Sequence, residues 1–324
     1  MVSSACLIFN PVAGQSDPEQ DLALIQELLG PELDLDIQMT TPEIDGDQLA
    51  REAVPKGYDL IIASGGDGTL SAVAGAVISS NIPLGIISRG TANAFASALG
   101  IPTSIQEACE TILGGCTRVV DAAECNGKPM ALLVGIGFEA ATVRRADRDY
   151  KNRFGMLAYV LAGLQELRNL EAFETQLETD EKVIDLQAAA VTIANVAPPS
   201  SVLAQGPGKL DPEDGLLDVT LVAPANTLGA ISAAYSLLQS AFSGQTNNRA
   251  DTGYLRTNHI KVTTDPPQKV VLDGELIGET PVEVKCIPKG LTILVPDQAN
   301  ANPPSENLEG LPHLHVESKS DSES

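Results

Sequence analysis

Apolar residues along the first 120 positions recur at two spacings that take turns. Ala5–Asn10 is a short apolar run that reads as a strand, and Pro18–Leu29 sets Leu22, Ile25, Leu28 and Leu29 at helical spacing. Leu33–Met39 alternates like a strand, Asp47–Val54 reads as a short helix, Leu60–Ala63 as a buried strand and Leu70–Ser80 as a helix. The alternation continues with a strand at Leu84–Ile87 and a helix at Thr91–Leu99, stopped by Gly100 and Pro102. A further helix, Ser104–Gly114, ends on a Gly-Gly pair. Such alternation predicts a parallel sheet covered by helices on both faces. Ligands of such sheets bind beyond the carboxyl ends of the strands.

From about residue 118 the pattern changes. Arg118–Ala122, Met130–Gly135, Glu174–Thr179, Lys182–Ala194 and Leu216–Val222 read as strands, as do His259–Thr264, Lys269–Leu272, Pro281–Cys286 and Leu291–Val295. Only Gly155–Leu170 and Leu228–Ser243 carry helical spacing. The expected fold is therefore an α/β parallel-sheet domain over 1–122, then a β-rich, sandwich-like domain over 123–296. Residues 297–324, rich in Asn, Pro, Ser and Glu, are expected to form a disordered acidic tail.

With 324 residues the chain can hold two cores. No apolar run approaches the roughly 20 residues that span a bilayer, and no basic n-region opens the chain, so a cytoplasmic protein is expected. The five cysteines are scattered and lack CxxC spacing, which predicts reduced thiols. A formal charge of −23, with ten acids and no Lys or Arg in residues 1–50, excludes nucleic acid as a partner. Arg144, Arg145, Arg148, Lys151 and Arg153 concentrate the positive charge. They suit an anionic ligand or lipid headgroups, and equally a solvated helix face paired with Asp147 and Asp149.

Ser64-Gly65-Gly66-Asp67-Gly68-Thr69 lies directly behind the third strand and ahead of a helix. Glycines let the backbone approach a ligand and aim its N–H groups at it, and the helix N-terminus adds positive dipole. The competing reading, a tight turn, needs one or two glycines rather than three. Asn10-Pro11-Val12-Ala13-Gly14 and Gly90-Thr91-Ala92-Asn93 follow two other strands, so three polar, glycine-bearing loops share one sheet edge. Asp211-Pro212-Glu213-Asp214-Gly215-Leu216 gathers acids in one loop, either a site for a hard cation or a solvated turn. Asp273-Gly274-Glu275, by its residues alone, is an ordinary hairpin turn.

In order and spacing, Asn10-Pro-x-x-Gly14, Gly65-Gly-Asp-Gly-Thr69 and Gly90-Thr-Ala-Asn93 resemble the diacylglycerol kinase catalytic domain. Gly135-Ile-Gly-Phe-Glu139, Asp214-Gly-Leu-Leu-Asp218 and Asp273-Gly-Glu275 continue the resemblance, which covers roughly residues 5–296 and points to the bacterial soluble lipid kinases. It implies ATP-dependent phosphorylation of a hydroxyl of diacylglycerol or a related lipid, hence a role in phospholipid metabolism. On this reading Gly65, Gly66, Asp67, Gly68, Thr69 and Ser71 hold the nucleotide phosphates, with Asn10, Thr41 and Thr91 adding contacts. Asp67, helped by Asp121, would bind Mg²⁺, and Glu275 would be the general base. Asp211, Asp214 and the Leu216 carbonyl would hold a structural Mg²⁺. The resemblance also implies transient contact with a lipid substrate at a membrane surface, and leans towards a homodimer.

Three positions depart from the family pattern. Ala94 stands where an Asp is usual, Ser88-Arg89 replaces the usual residues before Gly90, and Leu133 takes the place of a common Asn. Arg89 would bind phosphate, or close the pocket to a neutral headgroup. Two rival functions follow: an NAD-kinase-like enzyme acting on a soluble alcohol, which shares the glycine core, and a nucleotide- or lipid-binding regulator with weak turnover, suggested by Ala94. Gly135-Ile-Gly-Phe-Glu-Ala140 approximates a dinucleotide fingerprint, but the acidic residue at the end of a second strand is missing. The apolar segment from Phe154 to Leu167 reads as core packing before it reads as a lipid-facing helix.

Overall fold

The structure, a computed structural model, describes residues 3–137, 172–198, 201, 204, 210–223, 252–296 and 315–318. The basic cluster and the two helical stretches expected after residue 150 lie outside the described residues. The chain divides into two compact units, Met1–Ala122 with Ile287–Asn300, and Ala123–Cys286 with Ala301–Ser324.

Unit 1 opens with β1 (Ser3–Phe9), α1 (Pro18–Leu29), β2 (Leu33–Met39) and α2 (Gly46–Ala53). It continues with β3 (Leu60–Gly65), α3 (Asp67–Val77), β4 (Leu84–Ser88), α4 (Ala94–Ala98), α5 (Ile105–Gly114) and the start of β5 (Thr117–Cys125). Local chemistry sets the helix ends. Asp17 caps α1 by accepting the Glu19 N–H, with Pro18 in its first turn. Ser104 caps α5 through the Glu107 N–H, and Gly115 closes that helix in the left-handed region at φ 64°.

The strands run parallel in the order β2-β1-β3-β4, with Leu7 opposite Ile37 on one side and Ile62 on the other. The order reverses between β1 and β3, the kind of switch point at which open α/β sheets form a ligand crevice. Ala5, Leu7 and Phe9 pack on Ile25 and Leu29 of α1 and on Cys109 and Ile112 of α5. Cys6 and Ile8, on the opposite face of β1, are also fully buried. Burial on both faces explains why these strands read as continuous apolar runs. Each such Leu or Ile contributes about 1.5–3 kcal/mol.

Two helices start where the sequence does not place them. α3 begins at Asp67, inside the glycine motif, rather than at Leu70. Gly66 takes the extended cap conformation, and the Leu70 N–H closes the first turn on its carbonyl at 3.0 Å. α4 begins at Ala94 rather than Thr91, because Asn93 sits in the left-handed region at φ 48°.

Unit 2 contains β6 (Lys128–Met130), β7 (Leu133–Gly137), β8 (Phe173–Thr179), β9 (Lys182–Ala188) and β10 (Ala190–Ala194). They are followed by β11 (Leu217–Val222), β12 (Thr252–Thr257), β13 (His259–Asp265), β14 (Lys269–Leu272), β15 (Glu275–Glu279), β16 (Val282–Leu294) and β17 (His315–Ser318). One sheet runs β12-β11-β10-β7-β14-β15, and the other joins β17, β9, β8, β13 and the first residues of β16. Both are antiparallel. Val134, Ile193 and Val219 of the first sheet meet Leu177, Ile184, Val262 and Val284 of the second in one apolar cluster, the core of a sandwich.

Several boundaries differ from the sequence reading. Lys182–Ala194 is two strands in different sheets, turning at Ala189. Pro281–Cys286 and Leu291–Val295 merge into β16, and from Ile287 onward that strand belongs to unit 1, where Ile293 pairs in parallel with Leu84. The tail is not wholly without structure, because β17 pairs with β9.

Candidate active site

In unit 1 the carboxyl ends of β1, β3 and β4 deliver three loops to one edge. The Asn10 N–H donates to the Ser64 carbonyl at 2.9 Å, and its side-chain amide donates to the Thr69 hydroxyl at 2.8 Å. The Arg89 N–H donates to the Gly65 carbonyl at 2.7 Å. At Gly90 a Cβ would stand 3.1 Å from the Gly66 Cα, and at Gly65 it would stand 2.8 Å from the Thr69 Cβ. Glycine at 65 makes room for Thr69 within its own loop, and glycine at 90 lets the β4–α4 loop close tightly on Gly66. Asn10, Gly65, Gly66 and Thr69 thus share one hydrogen-bonded and close-packed constellation.

Asp67 is the first residue of α3. One of its oxygens accepts the Phe95 N–H at 3.1 Å, which ties α3 to α4, and it makes no other hydrogen bond among the described residues. Gly68 is exposed one residue further on, and Thr91 is exposed at the β4–α4 loop. The Ser71 hydroxyl is buried without a hydrogen-bond partner. Thr41 follows β2 at the same edge, but its hydroxyl is taken up locally, accepting from the Glu43 and Ile44 N–H groups. Asp121 is fully buried and accepts the Lys289 N–H at 2.7 Å, within unit 1.

A cavity of about 390 Å³ opens beside these loops, lined among others by Gly14, Ser16, Asp21, Arg89, Gly90 and Asn93. Sequence reasoning missed Asp21. It pairs with Arg89 at 2.8 Å across 68 positions, a separation with no local signature.

In unit 2, Asp273-Gly274 forms a two-residue hairpin between β14 and β15, with φ of 48° and 89°. The turn does more than reverse the chain. The Asp273 carboxylate accepts the N–H groups of Ala131, Leu132 and Leu133 at 2.8, 2.9 and 2.9 Å. This staple anchors the turn that leads to Glu275, which stands exposed as the first residue of β15. Leu133, the departure noted in the sequence, supplies a backbone N–H here.

The Asp211–Leu216 loop is turned inward. Asp214 accepts the Leu216 N–H at 2.9 Å with one oxygen and pairs with Arg256 through the other, while Asp211 accepts the Glu213 N–H at 3.1 Å. Asp218 is fully buried beside Tyr254 and Arg256. Burial first, then nearby Asp211, pushes its carboxyl up to about 6 against the hydrogen bond from Tyr254. Among the described residues no group of three or more His, Cys, Asp or Glu side chains is arranged around a metal position. Arg256 lies against the second Asp214 oxygen, so a cation held by Asp211, Asp214 and the Leu216 carbonyl would have to displace it. β7 carries Gly135 and Gly137 between two antiparallel neighbours, which rules out the dinucleotide βαβ reading. Gly137 is needed for packing, since a Cβ would meet the Phe173 ring at 2.8 Å.

Residues 4–125 match the family model of the diacylglycerol kinase catalytic domain, and residues 133–295 match that of the YegS C-terminal NAD kinase beta sandwich-like domain. These two halves define a kinase assembled from a glycine-loop α/β unit and a β-sandwich. The chain belongs to the diacylglycerol kinase family. A diacylglycerol kinase of Bacillus subtilis is 30% identical over 307 residues, covering 91% of this chain and 97% of the relative. An uncharacterized protein of Synechocystis sp. is 50% identical over 301 residues, 90% of this chain and 70% of that one. Among solved structures, a candidate diacylglycerol kinase of Bacillus anthracis aligns with a TM-score of 0.75 at 26% identity, covering 91% of this chain and 98% of the other.

Proposed function

We propose that this protein is an ATP-dependent kinase that phosphorylates a hydroxyl of diacylglycerol or a related lipid. The observation that carries the reading is the closure of the Asn10, Gly65–Thr69 and Arg89–Gly90 loops on one another at the sheet's switch point. Backbone N–H groups at the start of α3 and the Thr69 and Thr91 hydroxyls would bind and orient the nucleotide phosphates. Asp67 keeps one carboxylate oxygen without a hydrogen bond, a hard donor that fits Mg²⁺. The ion, when bound, neutralises charge on the phosphate oxygens. Glu275 would take the proton of the lipid hydroxyl as it attacks the terminal phosphate, and its exposure leaves it open to substrate. The phosphoryl group moves from the nucleotide to the lipid oxygen, leaving ADP.

No helix among the described residues is long and apolar enough to cross a membrane, so access to a lipid would come through transient contact with a membrane surface. The sandwich match, described as NAD kinase-like, keeps a soluble alcohol acceptor as the second reading. Incubation with γ-labelled ATP and diacylglycerol-containing vesicles separates them. Label is expected in the organic phase. Label confined to a water-soluble product would favour the second reading, and nucleotide binding without transfer would favour a regulator.

A further inference from the structure

Arg89 is an unusual residue to find inside a glycine-rich loop. It is 6% exposed, and its partner Asp21 is 8% exposed. Its Nε donates to Asp21 at 2.8 Å, its Nη1 donates to the Asn10 carbonyl at 2.8 Å, and its guanidinium lies 4.4 Å from the Phe9 ring centroid. The Arg89 carbonyl packs where a Cβ on Gly14 would stand, at 2.7 Å. One side chain therefore joins the loops after β1 and β4 to α1, while its main chain holds the end of β3. A strut would need only these contacts. Yet among the described residues the buried Nη2 finds no hydrogen-bond partner, and the neighbouring Ser88 hydroxyl, 3% exposed as a residue, finds none either. Both residues line the 390 Å³ cavity. Buried guanidinium N–H groups are normally all satisfied, and phosphate oxygens match their geometry best.

We propose that Arg89 is a specificity-determining and positioning residue of the nucleotide site, whose buried Nη2 turns to donate to a phosphate oxygen when the cavity fills. The inference rests on the nucleotide reading above. Asp21 serves as the counter-ion that keeps the guanidinium in place when the cavity holds no anion.

The test compares the wild type with R89K, D21N and the double variant R89M/D21M, which avoids leaving one buried charge alone. Calorimetric titrations use ADP and, separately, pyrophosphate, with KM for ATP, kcat and melting temperature measured alongside. R89M/D21M and R89K are expected to weaken ADP about 10-fold or more and to raise KM more than they lower kcat. D21N keeps an acceptor for Nε–H and removes a negative charge beside the anion, so it should bind ADP at least as tightly as wild type. Equal weakening in D21N and R89M/D21M would reduce Arg89 to a strut and overturn the proposal. So would wild-type affinity in R89M/D21M, with the kinase reading left intact. Arg89-dependent binding of pyrophosphate without binding of ADP would instead sink the nucleotide reading and keep the anion site. A wild type that binds neither probe would sink both.

Discussion

Two turns in this chain are built from the same residue types and do opposite things with their carboxylates. Gly66-Asp67-Gly68 opens α3, and Asp67 places one oxygen on the Phe95 N–H with no further hydrogen bond among the described residues. Asp273-Gly274 closes a hairpin, and Asp273 accepts three consecutive backbone N–H groups from residues 131–133. The difference follows from what the neighbouring backbone offers. A helix N-terminus turns its free N–H groups outward along the axis, towards a ligand. The stretch 131–133, which leads into β7, presents its N–H groups to the turn instead. An acid in a glycine turn is thus available for chemistry in unit 1 and used up as a staple in unit 2, where the adjacent Glu275 is left exposed.

The strongest way to break this contrast is Asp67→Asn, which keeps an acceptor for Phe95 and removes the charge. Turnover is expected to fall by about 10³-fold with the melting temperature nearly unchanged. A large loss of melting temperature at near-normal turnover would make Asp67 a staple like Asp273. Asp273→Ala is expected to do the reverse in kind, by leaving three backbone donors unpaired. It should destabilise unit 2 by about 3 kcal/mol, roughly 5–10 °C in Tm, and lower activity only as far as Glu275 is misplaced. Circular dichroism melts alongside turnover would read both effects.

A smaller effect sharpens the comparison between the units themselves. Burial pushes the thiols of Cys6 and Cys109 in unit 1 and Cys125 in unit 2 up to about 11. Only about one such thiol in a thousand is ionised at pH 8. Alkylation at that pH should therefore modify exposed Cys116 first. In rising denaturant, mass spectrometry of Cys109 against Cys125 would report whether the two units open together. Early modification of Cys125 in the native protein would contradict the packed sandwich core.

Much of unit 1 was legible because its signals are local. Pro18–Leu29 and Leu33–Met39 coincide with α1 and β2, since a cap and an apolar period within a dozen residues define them. That Asn10 and Gly65–Thr69 meet at one sheet edge was legible because strand ends and glycines sit together in sequence. The start of α3 was not, because glycine's low helix propensity argues against a helix that tertiary packing nevertheless imposes. The break at Ala189 was hidden because the alternating β9 runs straight into the apolar β10 with no Gly, Pro, Asn or Asp between them to mark a turn. β15 was missed because an exposed edge strand carries Glu275, Gly278 and Glu279 in place of an alternating pattern. The Arg89–Asp21 pair and the Asp273 staple join residues 68 and about 140 positions apart, and no local pattern announces either.

On the proposed function, unit 1 would hold the nucleotide and Glu275 would activate the lipid hydroxyl. Glu275→Gln tests it most directly, with ATP affinity measured by calorimetry and label transfer from γ-labelled ATP to diacylglycerol measured on the same preparation. Affinity within about threefold of wild type and transfer reduced by about 10²–10³-fold is the expected result. Wild-type transfer by the Glu275→Gln protein would contradict the account.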